Sequence, residues 1–188
     1  MISHLAWFER EFALGLPVWM FPNVLERLRG TPARVESLLG GVPRERLTRR
    51  DGERWSAQEH VGHLLDLGWL DLARVTDFSE GREALTAADL RNRKTHEANH
   101  NARPLDELLA EFRAERGELV RRLEEFDEAT VARAALHPRL GKSMGVVDWL
   151  FFVAEHDDHH LAAIRGLVRK FEREGGDRRG RAGQPKYL

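Results

Sequence analysis

Cysteine is absent from the 188 residues. That excludes disulfides, thiolate nucleophiles and Cys-ligated zinc or iron–sulfur centres, so any metal must be held by His, Asp or Glu. The absence also suits a reducing compartment. A charge excess is missing too: 30 Lys and Arg face 31 Asp and Glu, leaving a formal charge of -1 and no whole-chain field to draw in DNA, RNA or an anionic membrane. No basic, aromatic-studded face is visible, and nucleic acid is not an expected partner. Long apolar runs are lacking as well. The longest charge-free stretch, Phe12 to Leu25, is interrupted by Gly15, Pro17 and Pro22 and falls short of the ~20 residues of a membrane helix. Glu9 and Glu11 flank Arg10 where a secretory leader would be basic, so a cytoplasmic protein is expected. Branched strand-formers are sparse and never alternate over a useful length, which argues against sheet.

What is present is helical periodicity. The composition, 41% hydrophobic and 32% charged, fits one compact domain. Leu, Ala, Glu and Arg recur at spacings of three and four, and four amphipathic helices are predicted. The first spans about Val24 to Leu39, with Thr31-Pro32 kinking or restarting it and Gly40-Gly41 ending it. The second opens at Ser56, whose partner Glu59 completes an S-x-x-E capping box, and reaches about Asp77. The third follows Pro104 and carries Leu105, Leu108, Leu109, Phe112, Leu119, Val120, Leu123 and Phe126 on one stripe. The fourth runs from about Gly145 to Phe171 and ends before Gly175-Gly176.

Four such helices without strands point to an all-α four-helix bundle. Its connections, residues 78–103 and 127–144, exceed what hairpin loops need, so at least one long crossover is expected in place of up-down-up-down order. The expected organisation is a single bundle domain over residues 1–171 and a flexible basic tail over 172–188. Residues 1–21 carry Trp7, Phe8, Phe12, Trp19 and Phe21, too many aromatics for a free arm. This segment is expected to pack on the bundle or on a second copy in a homodimer.

Nine histidines are the chemical feature of the chain. His156 and His160 stand four apart on the fourth helix, which sets their Cβ atoms about 5–6 Å apart on one face, a spacing at which two imidazoles can hold one metal. They lie beside Trp149, Val153 and Leu167 at the edge of the apolar stripe, while His159 points away from it. The second helix offers His60 and His63, either of which could complete a triad, and periodicity does not choose between them. His96 and His100 form another i,i+4 pair, but within RNRKTHEANHNARP, which has no apolar stripe to bury a site. A solvated loop or short polar turn is expected there. An H-x-x-x-H pair alone is weak evidence, since it often only borders a core.

Three segments in order, WSAQEHVGHL (Trp55 to Leu64), HPRLG (His137 to Gly141) and VAEHDDHHLAAI (Val153 to Ile164), resemble the DinB-like four-helix proteins, a superfamily that includes YfiT-type metal hydrolases and thiol-dependent transferases. The likeness covers roughly residues 22–171. It implies a bundle of unusual connectivity and a divalent metal held by one histidine of the second helix and the H-x-x-x-H pair of the fourth, which fall here on His63, His156 and His160, with His60 the replacement if the register slips. Three imidazoles leave a coordination position open, as in a catalytic site. All-nitrogen ligation suits zinc, nickel, ferrous iron or copper, of which zinc and nickel are expected first. Asp157 is expected either to accept the second ring nitrogen of a ligand or to pair with an arginine of the third helix; Glu59 is expected only to cap. The resemblance thus implies a metal-dependent hydrolase or transferase acting on a small-molecule substrate, with any thiol supplied by a low-molecular-weight cofactor. The rival expectation is a non-catalytic, metal-stabilised or stress-response bundle.

Overall fold

The computed structural model describes residues 5–182, with side chains through residue 175. Helix α1 (Phe21–Leu39) starts with Pro22 in its first turn, where a missing N–H leaves no bond unmade, and continues unbroken through Pro32. After the short α2 (Arg44–Leu47), α3 (Ala57–Asp66) opens on the expected capping box: the Glu59 amide donates to Ser56 Oγ (3.1 Å) and the Ser56 amide to Glu59 Oε2 (2.8 Å). The second predicted helix is divided, because a turn at Leu67 separates α3 from α4 (Gly68–Ser79). Gly68 faces the neighbouring helix, where a Cβ would fall 1.9 Å from Glu115 Oε2 and push that side chain aside. Then come α5 (Arg93–Glu97), α6 (Leu105–Glu124), α7 (Glu128–Val131) and α8 (Val146–Ala182).

Two expectations need correction. The absence of strands does not hold: β1 (Ala134–His137) and β2 (Lys142–Gly145) pair antiparallel, with Leu136 opposite Ser143 and Ala135 opposite Met144. Four-residue strands are too short to register as alternation. The hairpin's alternate residues Ala135, His137 and Met144 are buried on the bundle, and its outer edge meets Ala84. The last helix also does not stop at Phe171 but runs through Gly175 and Gly176 to Ala182. Lys170 to Asp51 (2.6 Å) and Glu174 to Arg49 (2.7 Å) tie the helix just before these glycines to the loop after α2. The tail expected over 172–188 is thus helical as far as Ala182; residues 183–188 lie outside the described residues.

The long helices α1, α3–α4, α6 and α8 form the bundle. α1 packs on α6 and α8, and α3 packs on the same two, so α1 and α3–α4 occupy one diagonal. Side-chain pairs give the directions. Arg27–Glu155 and Arg34–Asp158 run α1 parallel to α8, whereas Arg29–Glu124 and Arg113–Glu36 run it antiparallel to α6. Gln58 bonded to the Arg103 carbonyl and Arg122 bonded to Thr76 set α3–α4 parallel to α6. The order is up-down-down-up, and parallel α4 and α6 require the long crossover that holds α5.

The core is split in two. One part centres on Leu28, Phe78, Leu123, Trp149 and Leu150, the other on Val35, Leu64, Leu108, Phe112 and Ile164. Between them on the chain's four helices fall Thr31, Asp71, Arg116 and Asp157, all buried. The N-terminal segment packs on the first part through Trp7 and Phe12. Asp148, in the first turn of α8, secures it by accepting the amides of Gly15 (2.9 Å) and Leu16 (2.8 Å). Phe8 and Trp19 remain exposed, at 59% and 70%. Among the described residues no helix is long and apolar enough to cross a membrane.

Candidate metal centre

Antiparallel packing of α3 on α8 brings His63 against His156 and His160. Their ring centroids are 5.4 and 4.8 Å from that of His63, and 4.4 Å from each other. One nitrogen of each lies within 4.8 Å of the other two. The Nε2 atoms of His156 and His160 stand 3.1 Å apart, close to the ~3.3 Å separating two ligand nitrogens on a tetrahedral ion with bonds of about 2.0 Å. Three nitrogens no more than 4.8 Å apart share a centre within about 2.8 Å of each, a gap that small ring rotations close to zinc–imidazole lengths of ~2.0–2.1 Å. The donor set therefore fits a divalent ion.

The second ring nitrogens of His63 and His160 are held. His63 Nδ1 lies 3.1 Å from Thr95 Oγ1 on α5, and His160 Nδ1 lies 2.7 Å from His60 Nδ1. A proton on each of those Nδ1 atoms, donated to the Thr95 hydroxyl and to His60, leaves both Nε2 lone pairs free toward the centre. His60 thus stands behind His160 rather than in the triad. Burial pushes His60 and His63 down to about 4 and His156 and His160 well below the usual imidazole value, with the mutual repulsion of the rings adding to it. All four rings are neutral at pH 7, the form that binds metal.

Asp157 makes its hydrogen bonds elsewhere. Thr31 donates to one oxygen (2.8 Å) and Arg116 Nη2 to the other (3.1 Å). This is the ion pair named above as its alternative role, and no imidazole is among its hydrogen-bond partners. Glu59 is occupied by Ser56 and by Arg50 (Nε 2.9 Å), as expected of a capping residue. His96 and His100 do not form a second site. Asn99, in the left-handed region at φ 48°, breaks the turn between them. His96 is exposed, whereas His100 is buried with Nε2 2.8 Å from Asp66. Gly62 admits the His100 ring, which lies 2.2 Å from where a Cβ would be.

The three imidazoles open onto a cavity of about 400 Å³. Trp7 covers His156 edge-on (4.8 Å) and Trp55 leans on His63 (4.7 Å), so apolar rings screen the site from bulk water. Much of the remaining wall is apolar, including Leu67, Leu70 and Phe152, and among these side chains stand Asp71 and Arg74 of α4 and Arg116 of α6, which the sequence did not mark as site residues, and His137 and Arg139 of the hairpin, which fall in the HPRLG segment. Arg116 Nη1, His137 Nε2 and Arg139 Nη2 are buried without a hydrogen-bond partner, a state that costs ~1–3 kcal/mol per group. Burial raises Asp71 to about 6, against the pull of Arg116. Arg116 carried one signal in the sequence, a charge in the middle of the third helix's apolar stripe.

Residues 27–164 match the DinB superfamily. No curated protein matches the sequence. Among solved structures, YfiT from Bacillus subtilis, described as a probable metal-dependent hydrolase with an unusual four-helix bundle topology, superimposes with a TM-score of 0.74 at 20% identity, over 87% of this chain and 94% of that one. A mycothiol-dependent maleylpyruvate isomerase gives a TM-score of 0.62 at 15% identity over 78% of this chain; the match spans 60% of the isomerase. A Streptococcus pneumoniae protein gives 0.60 at 13% identity, over 87% of this chain and 93% of that one. At these identities the likeness is one of fold.

Proposed function

The chain belongs to the DinB superfamily, and from that premise we propose that it is a metal-dependent enzyme, a hydrolase or thiol-dependent transferase acting on a small molecule, with His63, His156 and His160 as ligands of a zinc or nickel ion. The observation that carries this reading is the convergence of three neutral imidazoles on the wall of a cavity large enough for a substrate. A divalent ion bound there supplies Lewis acidity, lowering the pKa of a water or of a low-molecular-weight thiol at neutral pH. The chain itself positions and dries the site. Thr95 and His60 fix the orientations of His63 and His160, and Trp7 and Trp55 exclude water. Lacking cysteine, the chain has no thiol of its own, so a transferase reaction takes its thiol from solution. Exposed Phe8 and Trp19 support a homodimer pairing through the N-terminal segment, which sedimentation tests.

The deciding experiment is elemental analysis of protein purified without a His-tag or chelating resin, followed by anaerobic assays with small thiols and with electrophiles and esters. About one divalent ion per chain is expected, lost in His156→Ala and in His160→Ala while helical circular dichroism persists. Metal retained in both variants overturns the assignment.

A further inference from the structure

We propose that the hairpin side of the cavity is a carboxylate subsite, built from Arg139, His137 and Arg116, and that the substrate of the imidazole site is a small organic monoanion. The second half of this statement rests on the enzymatic reading above; the first does not.

The argument starts from the three orphaned atoms. The Leu140 amide donates to His137 Nδ1 (3.3 Å), so Nδ1 is the unprotonated nitrogen of a neutral ring and the proton resides on Nε2. The buried, partnerless Nε2 is therefore a donor, as are Arg116 Nη1 and Arg139 Nη2. Three donors on the wall of one cavity call for an acceptor with several lone pairs, which a carboxylate offers.

Charge points the same way. Three guanidiniums line the cavity, Arg74, Arg116 and Arg139. Arg116 is paired with Asp157, and Asp71 lies within electrostatic reach of both Arg116 and Arg74. Arg139 has no carboxylate partner among the described residues; its guanidinium lies over the rings of Phe8 (5.3 Å) and Phe152 (5.4 Å), and burial alone pulls its pKa down. Asp89, also on the wall, is bonded to Arg93 outside it, so one positive charge of the protein's own is left over, and it matches a monoanion.

Position completes the case. The His137 ring also packs on Phe152 (5.3 Å), and Phe152 precedes His156 by four residues on α8. Phe152 therefore stands between the subsite and the imidazoles, one helical turn before His156, and Arg116 and Arg139 both act electrostatically on His156. A substrate reaching both places carries its reacting atom only a few bonds from its carboxylate.

The test uses the full chain without and with added zinc, with benzoate as probe, benzamide as its uncharged counterpart and inorganic phosphate as the competing anion. Binding is read by calorimetry and by the fluorescence of Trp7 and Trp55, which line the cavity. Benzoate is expected to saturate one site at least about tenfold more tightly than benzamide or phosphate, as a charge-assisted bond in a screened cavity provides. Arg139→Met, on the hairpin turn, is expected to remove that advantage and leave benzamide unchanged, while Arg139→Lys retains part of it. Equal affinity for benzoate and benzamide, or full benzoate affinity in Arg139→Met with unaltered near-ultraviolet dichroism, overturns the proposal. Because the metal-free arm needs no ion, failure of the subsite and failure of the metal assignment give different results.

Discussion

His60 and His160 meet through their Nδ1 atoms at 2.7 Å, so that the nitrogen of His160 facing His156 is the one left for an ion. Each ring fixes the other's tautomer: if His160 Nδ1–H donates, His60 Nδ1 accepts. His60→Ala leaves the triad intact but frees His160 to rotate. Metal affinity is expected to fall by about 10–100-fold, measured by competition with a chromophoric chelator, and His60→Asn is expected to restore part of it. Unchanged affinity in His60→Ala would remove His60 from any role in holding the site.

The four buried imidazoles make the fold sensitive to acid. In the unfolded chain each titrates near the ordinary value of 6.5; in the folded state burial lowers His60 and His63 to about 4 and holds His156 and His160 well below the ordinary value. Below 6.5 the unfolded state binds protons that the folded state does not, so stability falls as the pH drops. Metal-free protein is expected to hold a constant urea midpoint above pH 7 and to lose stability steadily from about pH 6.5 toward 4. Bound zinc should move the onset of the loss to lower pH. A midpoint independent of pH between 7 and 5 would contradict the burial of these rings.

Arg116 and Asp157 form a buried pair between α6 and α8, 3.1 Å apart and each at most 5% exposed. Arg116→Ala leaves a carboxylate that burial already pushes up in pKa with only Thr31 to support it. A destabilisation of about 3–5 kcal/mol is expected by thermal or urea unfolding. The double variant Arg116→Met with Asp157→Leu should recover much of that loss, since two packed apolar side chains replace two desolvated charges. If the single variant unfolds like the wild type, the pair is not buried as described.

Gly62 touches the ring of His100, which Asp66 holds at 2.8 Å. In Gly62→Ala the new methyl would occupy the ring's position 2.2 Å away, displacing His100 and parting it from Asp66. Despite the better helix propensity of alanine, a net destabilisation of about 1–3 kcal/mol is expected from the overpacking, with the melting temperature as readout. A stabilised variant would show that the crossover does not pack on α3 at this point.

Periodicity located the four long helices because each buries an apolar stripe, and a stripe is a local property of the chain. The start of α3 was legible for the same reason, Ser56 and Glu59 being three residues apart. The ends were less so. Nothing local marks α8 as continuing past Gly175, because the ion pairs that hold it come from Arg49 and Asp51, more than a hundred residues earlier. The hairpin was invisible because its strands are four residues long and supported by the bundle, not by their own pattern.

The site divides along the same line. The i,i+4 spacing alone puts His156 and His160 on one face, and their pairing needed no tertiary information. Whether His60 or His63 joins them depends on how α3 is rotated against α8, and that rotation sets the His63 ring beside both. His96 and His100 have the same spacing as the fourth-helix pair, yet Asn99 and the pull of Asp66 on His100 send them apart. Sequence by itself thus determined which helices exist and which side chains they can present. Tertiary structure decided which of those meet, and it alone assembled Asp71, Arg116, His137 and Arg139 on one wall, because a cavity is made by residues remote in the chain and leaves no period in it.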